Sequence, residues 1–121
     1  VINVKDKVYG KLCEICSNVS DIYPGDWENL PAIQYIEETN TVFSRTDDKE
    51  QMSLLRYRID IWDKGSTTAM SVKVDEVMSS LGLVRTMCQD AEDPSRRRHK
   101  VMRYEGVIDN KTEVVYWQGN S

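Results

Sequence analysis

The sequence predicts an α+β domain: an antiparallel, at most mixed, sheet of four to five strands with two helices packed on one face. Three observations predict it. In LLRYRIDIW, residues 54–62, Leu55, Tyr57, Ile59 and Ile61 alternate with Arg56, Arg58, Asp60 and Trp62. That period of two marks a strand buried on one side only, as antiparallel strands commonly are. Directly after it, Met70, Val74, Val77 and Leu81 recur at helical spacing. Finally, the order helix, two strands, helix, three strands lacks the regular strand–helix alternation of a parallel α/β sheet.

Taken in order, Val4, Val8, Leu12 and Ile15 lie on one face of a first helix, with Lys5, Asp6, Lys7, Lys11 and Glu14 mostly on others. Asn18 and Ser20 are poor interior helix residues and Pro24-Gly25 follows, so the helix should end near residues 17–20. Tyr23-Pro24-Gly25-Asp26-Trp27 reads as a turn. Residues 32–38 form a first strand, residues 40–44 extend it as strand or loop, and residues 45–51 are a polar loop into the central strand. Asp63, Lys64 and Gly65 break that strand. Ser66, Thr67 and Thr68 supply hydroxyls for an N-cap, and Gly82 suits a helix end. Residues 83–89 form another strand and residues 90–97 an exposed polar loop with Pro94. Residues 98–109 alternate again, with Met102, Tyr104, Gly106 and Ile108 on one side. After a turn at residues 109–111, residues 113–118 return as the second arm of a hairpin.

At 121 residues the chain is one domain, residues 1–121, large enough for one core of two layers. With 40% hydrophobic and 30% charged residues it has globular rather than disordered composition. No apolar run approaches the roughly 20 residues of a membrane span, and no basic-apolar leader precedes the domain. Three cysteines offer no disulfide framework and favour a reducing compartment. A soluble protein with no membrane partner is expected. The net charge of −4 is uneven: residues 21–50 hold eight acidic and two basic side chains, while residues 96–103 hold five basic and no acidic ones. Opposite charges on separate segments suit docking against copies of the same chain or one oriented partner.

Candidate chemistry is sparse. Cys13 and Cys16 form a CxxC, but near a helix end, where the dipole disfavours a thiolate. Cys13, Cys16, Cys88 and His99 would make one Cys3His zinc set, although the last two are isolated and the core needs no metal. His99, the sole histidine, sits in a basic run without a nucleophile partner. Glu37 with Glu38, and Asp47 with Asp48, are carboxylate pairs; on a strand such neighbours point to opposite faces. P-loop, GxGxxG and HExxH patterns are absent from the sequence. The expectation is a protein that is not an enzyme and takes no cofactor or metal. Arg96, Arg97, Arg98, Lys100 and Arg103 raise nucleic-acid binding, yet a sequence pI near 5.0 makes the whole molecule repel DNA outside that patch.

The N-terminal helix, the YPGDW turn, a strand opened by Leu30-Pro31, and then YRIDIWDKGSTTAMSVKVDEVMSSL resemble the tail terminator, or tail completion, proteins of tailed bacteriophages. The later RRRHKVMRYEGVIDNKTEVVYW resembles their closing hairpin, so the likeness covers residues 5–118. It implies a structural virion protein of the neck, at the head–tail junction, assembled in the bacterial host cytoplasm. Such proteins form a ring, typically a hexamer, on the finished tail tube. The ring stops polymerisation and presents a surface for head joining. Implied partners are further copies of the chain, the tail tube protein and a head–tail connector or stopper protein, with genomic DNA passing through the ring unread. A head-side adaptor or stopper is the nearest alternative, and a small nucleic-acid-binding protein a more distant one. A heterologous ring needs two complementary surfaces per subunit. The acidic candidates are Asp47, Asp48 and Glu50, and the basic ones Arg96, Arg97, Arg98 and Lys100. Arg58 and Trp62, on the polar face of the central strand, are candidate anchors, Trp and Arg being enriched at interfaces.

Overall fold

The computed structural model describes residues 3–46, 49–94, 97–109 and 115–117, with side chains not described for residues 44–46, 49–51 and 115–117. It is an α+β fold in the order α1 (Lys5–Cys13), β1 (Asn18–Ser20), β2 (Ala32–Thr46), β3 (Lys49–Asp63), α2 (Thr68–Ser80), β4 (Val84–Ala91), β5 (Arg98–Asp109) and β6 (Val115–Trp117). Five strands lie side by side as β1-β2-β3-β5-β4, and β6 pairs with β5.

The sheet is mixed. β1 runs parallel to β2, with Val19 opposite Ile33, and every other pairing is antiparallel. The stretch expected to finish the first helix is therefore a strand. The helix ends at Cys13, and the tight amide contacts of Glu14 to Lys11 O and Ile15 to Leu12 O close it. Asn18 then works against helix: its Nδ2 donates to Asp26 O (2.9 Å) and Asn29 O (2.8 Å), tying the following loop to β1. A short polar side chain that bonds backbone in this way favours the non-helical path.

The expected polar loop at residues 45–51 is also corrected. β2 and β3 form a long hairpin whose ladder reaches Thr46 opposite Lys49, so only Asp47 and Asp48 separate the strands. Those two residues lie outside the described residues. Register shifts leave Glu38 and Phe43 as extra residues on β2, opposite no residue of β3. Such bulges re-aim side chains locally. β4 runs two residues further than expected, to Ala91, and β5 spans Arg98–Asp109 as read from its alternation. The turn expected after Asp109 falls outside the described residues.

One buried cluster joins the elements. Val8 and Leu12 of α1 and Val74 and Met78 of α2 share it with Leu55, Tyr57, Ile59 and Ile61 of β3 and with Met102 and Tyr104 of β5. On α2 the fully buried position is Met78 rather than Val77, which packs at the cluster margin with Leu81. The cap also differs in detail: Thr67 is the N-cap residue, but Ser66 Oγ accepts the Thr68 amide (3.1 Å). At the other end Gly82 has φ of 84°, the left-handed conformation that stops a helix cheaply only with glycine. Two tyrosine hydroxyls inside the cluster are satisfied by carboxylates, Tyr57 on Glu37 Oε2 (2.7 Å) and Tyr104 on Asp75 Oδ1 (2.9 Å).

Candidate functional site

The alternation that sends Leu55, Tyr57, Ile59 and Ile61 into the core sends Arg56, Arg58, Asp60 and Trp62 to the other face of the sheet. Their β5 partners in register are Glu105, Arg103, Val101 and His99. The result is a ladder of charge. Arg56 Nε donates to Glu105 Oε1 (3.2 Å), and Arg103 grips Glu38 with Nε and Nη2 (2.9 and 3.4 Å) while Nη1 meets Met87 Sδ (3.1 Å). Glu37 and Glu38 thus serve opposite faces: Glu37 holds Tyr57 in the core and Glu38 holds Arg103 outside it.

At the end of this face nearest α2 lies an aromatic cluster. Trp62 stacks on His99 with ring centroids 4.4 Å apart and planes 13° from parallel. Tyr23 and Trp27, from the loop between β1 and β2, each meet Trp62 edge-on at 5.6 Å, and each other at 5.2 Å. Edge-on and offset geometries suit the ring quadrupoles. Arg97 sits over Trp27 with its guanidinium 4.5 Å from the ring centroid, and Trp62 Nε1 donates to Asp93 Oδ1 (3.2 Å). The cluster clamps two loops that are distant in sequence onto the sheet.

Its place on the polar face of the strand makes Trp62 a candidate interface anchor, but the structure covers it. It is 2% exposed and forms the floor of the cluster, because Tyr23, Trp27 and His99 cover it. Arg58, its fellow candidate, keeps a third of its side chain exposed, with Nε 3.3 Å from Asp60 Oδ1. Asp60 is buried between Arg58 and His99, whose Nε2 is 3.7 Å from Asp60 Oδ2. Distance alone makes Arg58 and Asp60 an ion pair. Among the described residues, Arg58 Nε, Asp60 Oδ1 and both His99 nitrogens have no aligned hydrogen-bond partner. Burial pushes the Asp60 carboxyl above its ordinary range, against the opposing pull of Arg58 and His99.

The remaining candidates are scattered. Arg97, Arg98 and Lys100 line an open cleft of about 620 Å³ between the β3–α2 turn and the β4–β5 corner. Lys100 is 3.6 Å from Asp90, and Arg98 is exposed at the start of β5. Lys64 faces the same space, as do Asp90, Glu92 and Asp93, so the cleft favours neither sign strongly. Glu50 stands opposite Arg45 near the hairpin tip, far along β3 from that cleft. Asp47, Asp48 and Arg96 lie outside the described residues. Among the described candidates, Glu50 near the hairpin tip and Arg97, Arg98 and Lys100 at the cleft thus lie at separate ends of the sheet.

The cysteines do not converge. Cys16 is buried, its Sγ 3.3 Å from Pro31 O, while Cys13 and Cys88 are exposed. Burial raises the Cys16 thiol above its ordinary value, which removes thiolate character. Among the described residues no group of three or more His, Cys, Asp or Glu side chains is placed to hold a metal ion. No described helix is long and apolar enough to cross a membrane. The features that residue-by-residue reading missed are Tyr23, Trp27, Asp60 and Asp93. Only the turn composition around Tyr23 and Trp27 hinted at them. Comparison with protein-family models gives no match, and comparison with curated proteins finds no relative.

Proposed function

We propose that this chain is a structural subunit of a bacteriophage tail, forming a ring that caps the tail tube, stops its growth and offers a surface for head joining. The observation that supports it most is the unit β3–turn–α2, one of the pieces that carry the family resemblance. It stands at the centre of a sheet whose two outer edges, β2 beyond Gln34 and β4, pair with no further strand among the described residues. A subunit with two different unsatisfied edges is suited to heterologous contacts, and such contacts close into rings. In this reading both helices cover one face of the sheet, and the charged face and the edges turn toward neighbouring copies, the tail tube protein or a connector. Genomic DNA passes through the ring without being read. Much of the basic run is engaged within the chain: Arg103 with Glu38, Lys100 with Asp90, and Arg97 with Trp27. That favours assembly over a phosphate-binding track.

The test is co-sedimentation of the purified protein with purified tail tubes. Bound protein should saturate at a fixed number of copies per tube, whatever the tube length, because a cap occupies one end. Binding in proportion to length, or salt-sensitive binding to DNA with no binding to tubes, would overturn the proposal.

A further inference from the structure

We infer that the outer edge of β2 around residues 41–43 pairs, as an added antiparallel strand, with the β4 and β6 edge of a second copy of this chain. The inference rests on the ring reading above and specifies its joint.

β1 covers β2 only at Ala32, Ile33 and Gln34. From residue 35 to the hairpin tip, the far side of β2 meets no strand among the described residues. Exposed edges are ordinarily blunted by charge, especially lysine, or by proline. Residues 39–44, Thr-Asn-Thr-Val-Phe-Ser, carry neither. Val42 is 41% exposed and Phe43 56%, and the bulge at Phe43 takes that residue out of the β3 ladder. An uncharged, apolar edge strand is a template for another strand.

The same chain supplies the complement. Among the described residues β4 pairs only with β5, and it leaves Arg85, Thr86, Cys88 and Gln89 exposed. Successive antiparallel pairings make β2 and β5 run one way and β3, β4 and β6 the other. A neighbour placed by rotation about a ring axis therefore brings its β4 against β2 in the antiparallel sense, the commoner pairing.

Register places opposite charges level. Arg85 stands opposite Tyr104, Tyr104 opposite Tyr57, and Tyr57 opposite Glu37, so an unshifted neighbour brings Arg85 to the height of Glu37. Further along, Val42 is level with Ser53, Ile108 and then Val115, so β6, of sequence Val-Tyr-Trp, stands at the height of the apolar pair. The neighbour's residues 89–91 end the joint where β1 begins, since Gln89 is level with Gln34.

Hydrogen exchange on the assembled and the diluted protein, with the double variant Val42→Lys, Phe43→Lys alongside, tests this. Both side chains are exposed, so the variant monomer should keep the wild-type thermal midpoint. On assembly, amides of residues 39–44 and 84–88 should exchange at least ~tenfold more slowly, and the variant should lose both the protection and the assembly. Rings in which residues 84–88 exchange as in the monomer, or a variant that assembles like the wild type, would overturn the joint and leave the ring reading standing. Self-association with both edges protected but no binding to tubes would keep the joint and end the tail reading. A chain monomeric both in solution and on tubes would end both.

Discussion

Glu37 and Glu38 show how far one residue step can separate two roles. Strand alternation sends the first to the buried Tyr57 hydroxyl and the second to Arg103 on the opposite face. Burial, together with the carboxylates of Glu37 and Asp75, pushes the phenols of Tyr57 and Tyr104 far above the ordinary tyrosine range. Their unfolded counterparts lose protons near pH 10. Above that pH the unfolded state therefore binds fewer protons than the folded state, and stability falls as pH rises. In a spectrophotometric titration of the six tyrosines, Tyr57 and Tyr104 should ionise only as the chain unfolds. Smooth ionisation of all six in a folded chain would contradict their placement. The thiols divide in the same manner. Cys13 and Cys88 should react with a maleimide in the native protein, and Cys16 only after denaturation.

At the scale of elements, the central hairpin and the β3–α2 unit carry the fold. Gly82 is the hinge between α2 and β4, and its φ of 84° penalises any side chain there. Gly82→Ala should cost ~1–2 kcal/mol in a urea unfolding experiment, whereas an exposed α2 site such as Val72→Ala should change little. A core truncation such as Ile59→Ala, at a fully buried position of β3, should cost about 2–5 kcal/mol. These elements were legible because each buries one face, which writes a period into the sequence: two in β3 and β5, and near 3.6 in both helices. What was not legible lacks such a face. Residues 18–20 are too few to show a period, and the hairpin beyond residue 44 is polar on both sides, so only backbone pairing marks it as strand. The Trp62 cluster is a meeting of Tyr23, Trp27 and His99 from three separate segments, and no local pattern encodes that meeting.

At the scale of the molecule, the proposed ring turns on charge and sheet edges. Glu50, near the tip of the β2–β3 hairpin, and the basic corner at Arg97, Arg98 and Lys100 are separated along the sheet. Such a charge distribution orients neighbours and speeds encounter more than it adds affinity. Reversing Arg98 to Glu, an exposed position, should leave the folded monomer intact and slow ring formation most at low salt. An assembly rate insensitive to both the substitution and salt would remove charge from the account. The proposed role is termination of a tail tube. Electron microscopy of tails assembled with and without the protein tests it most directly. The account predicts tubes of uniform length bearing a ring at one end when the protein is present, and overgrown tubes unjoined to heads when it is absent. Tubes of unchanged length that join heads normally in its absence would contradict it.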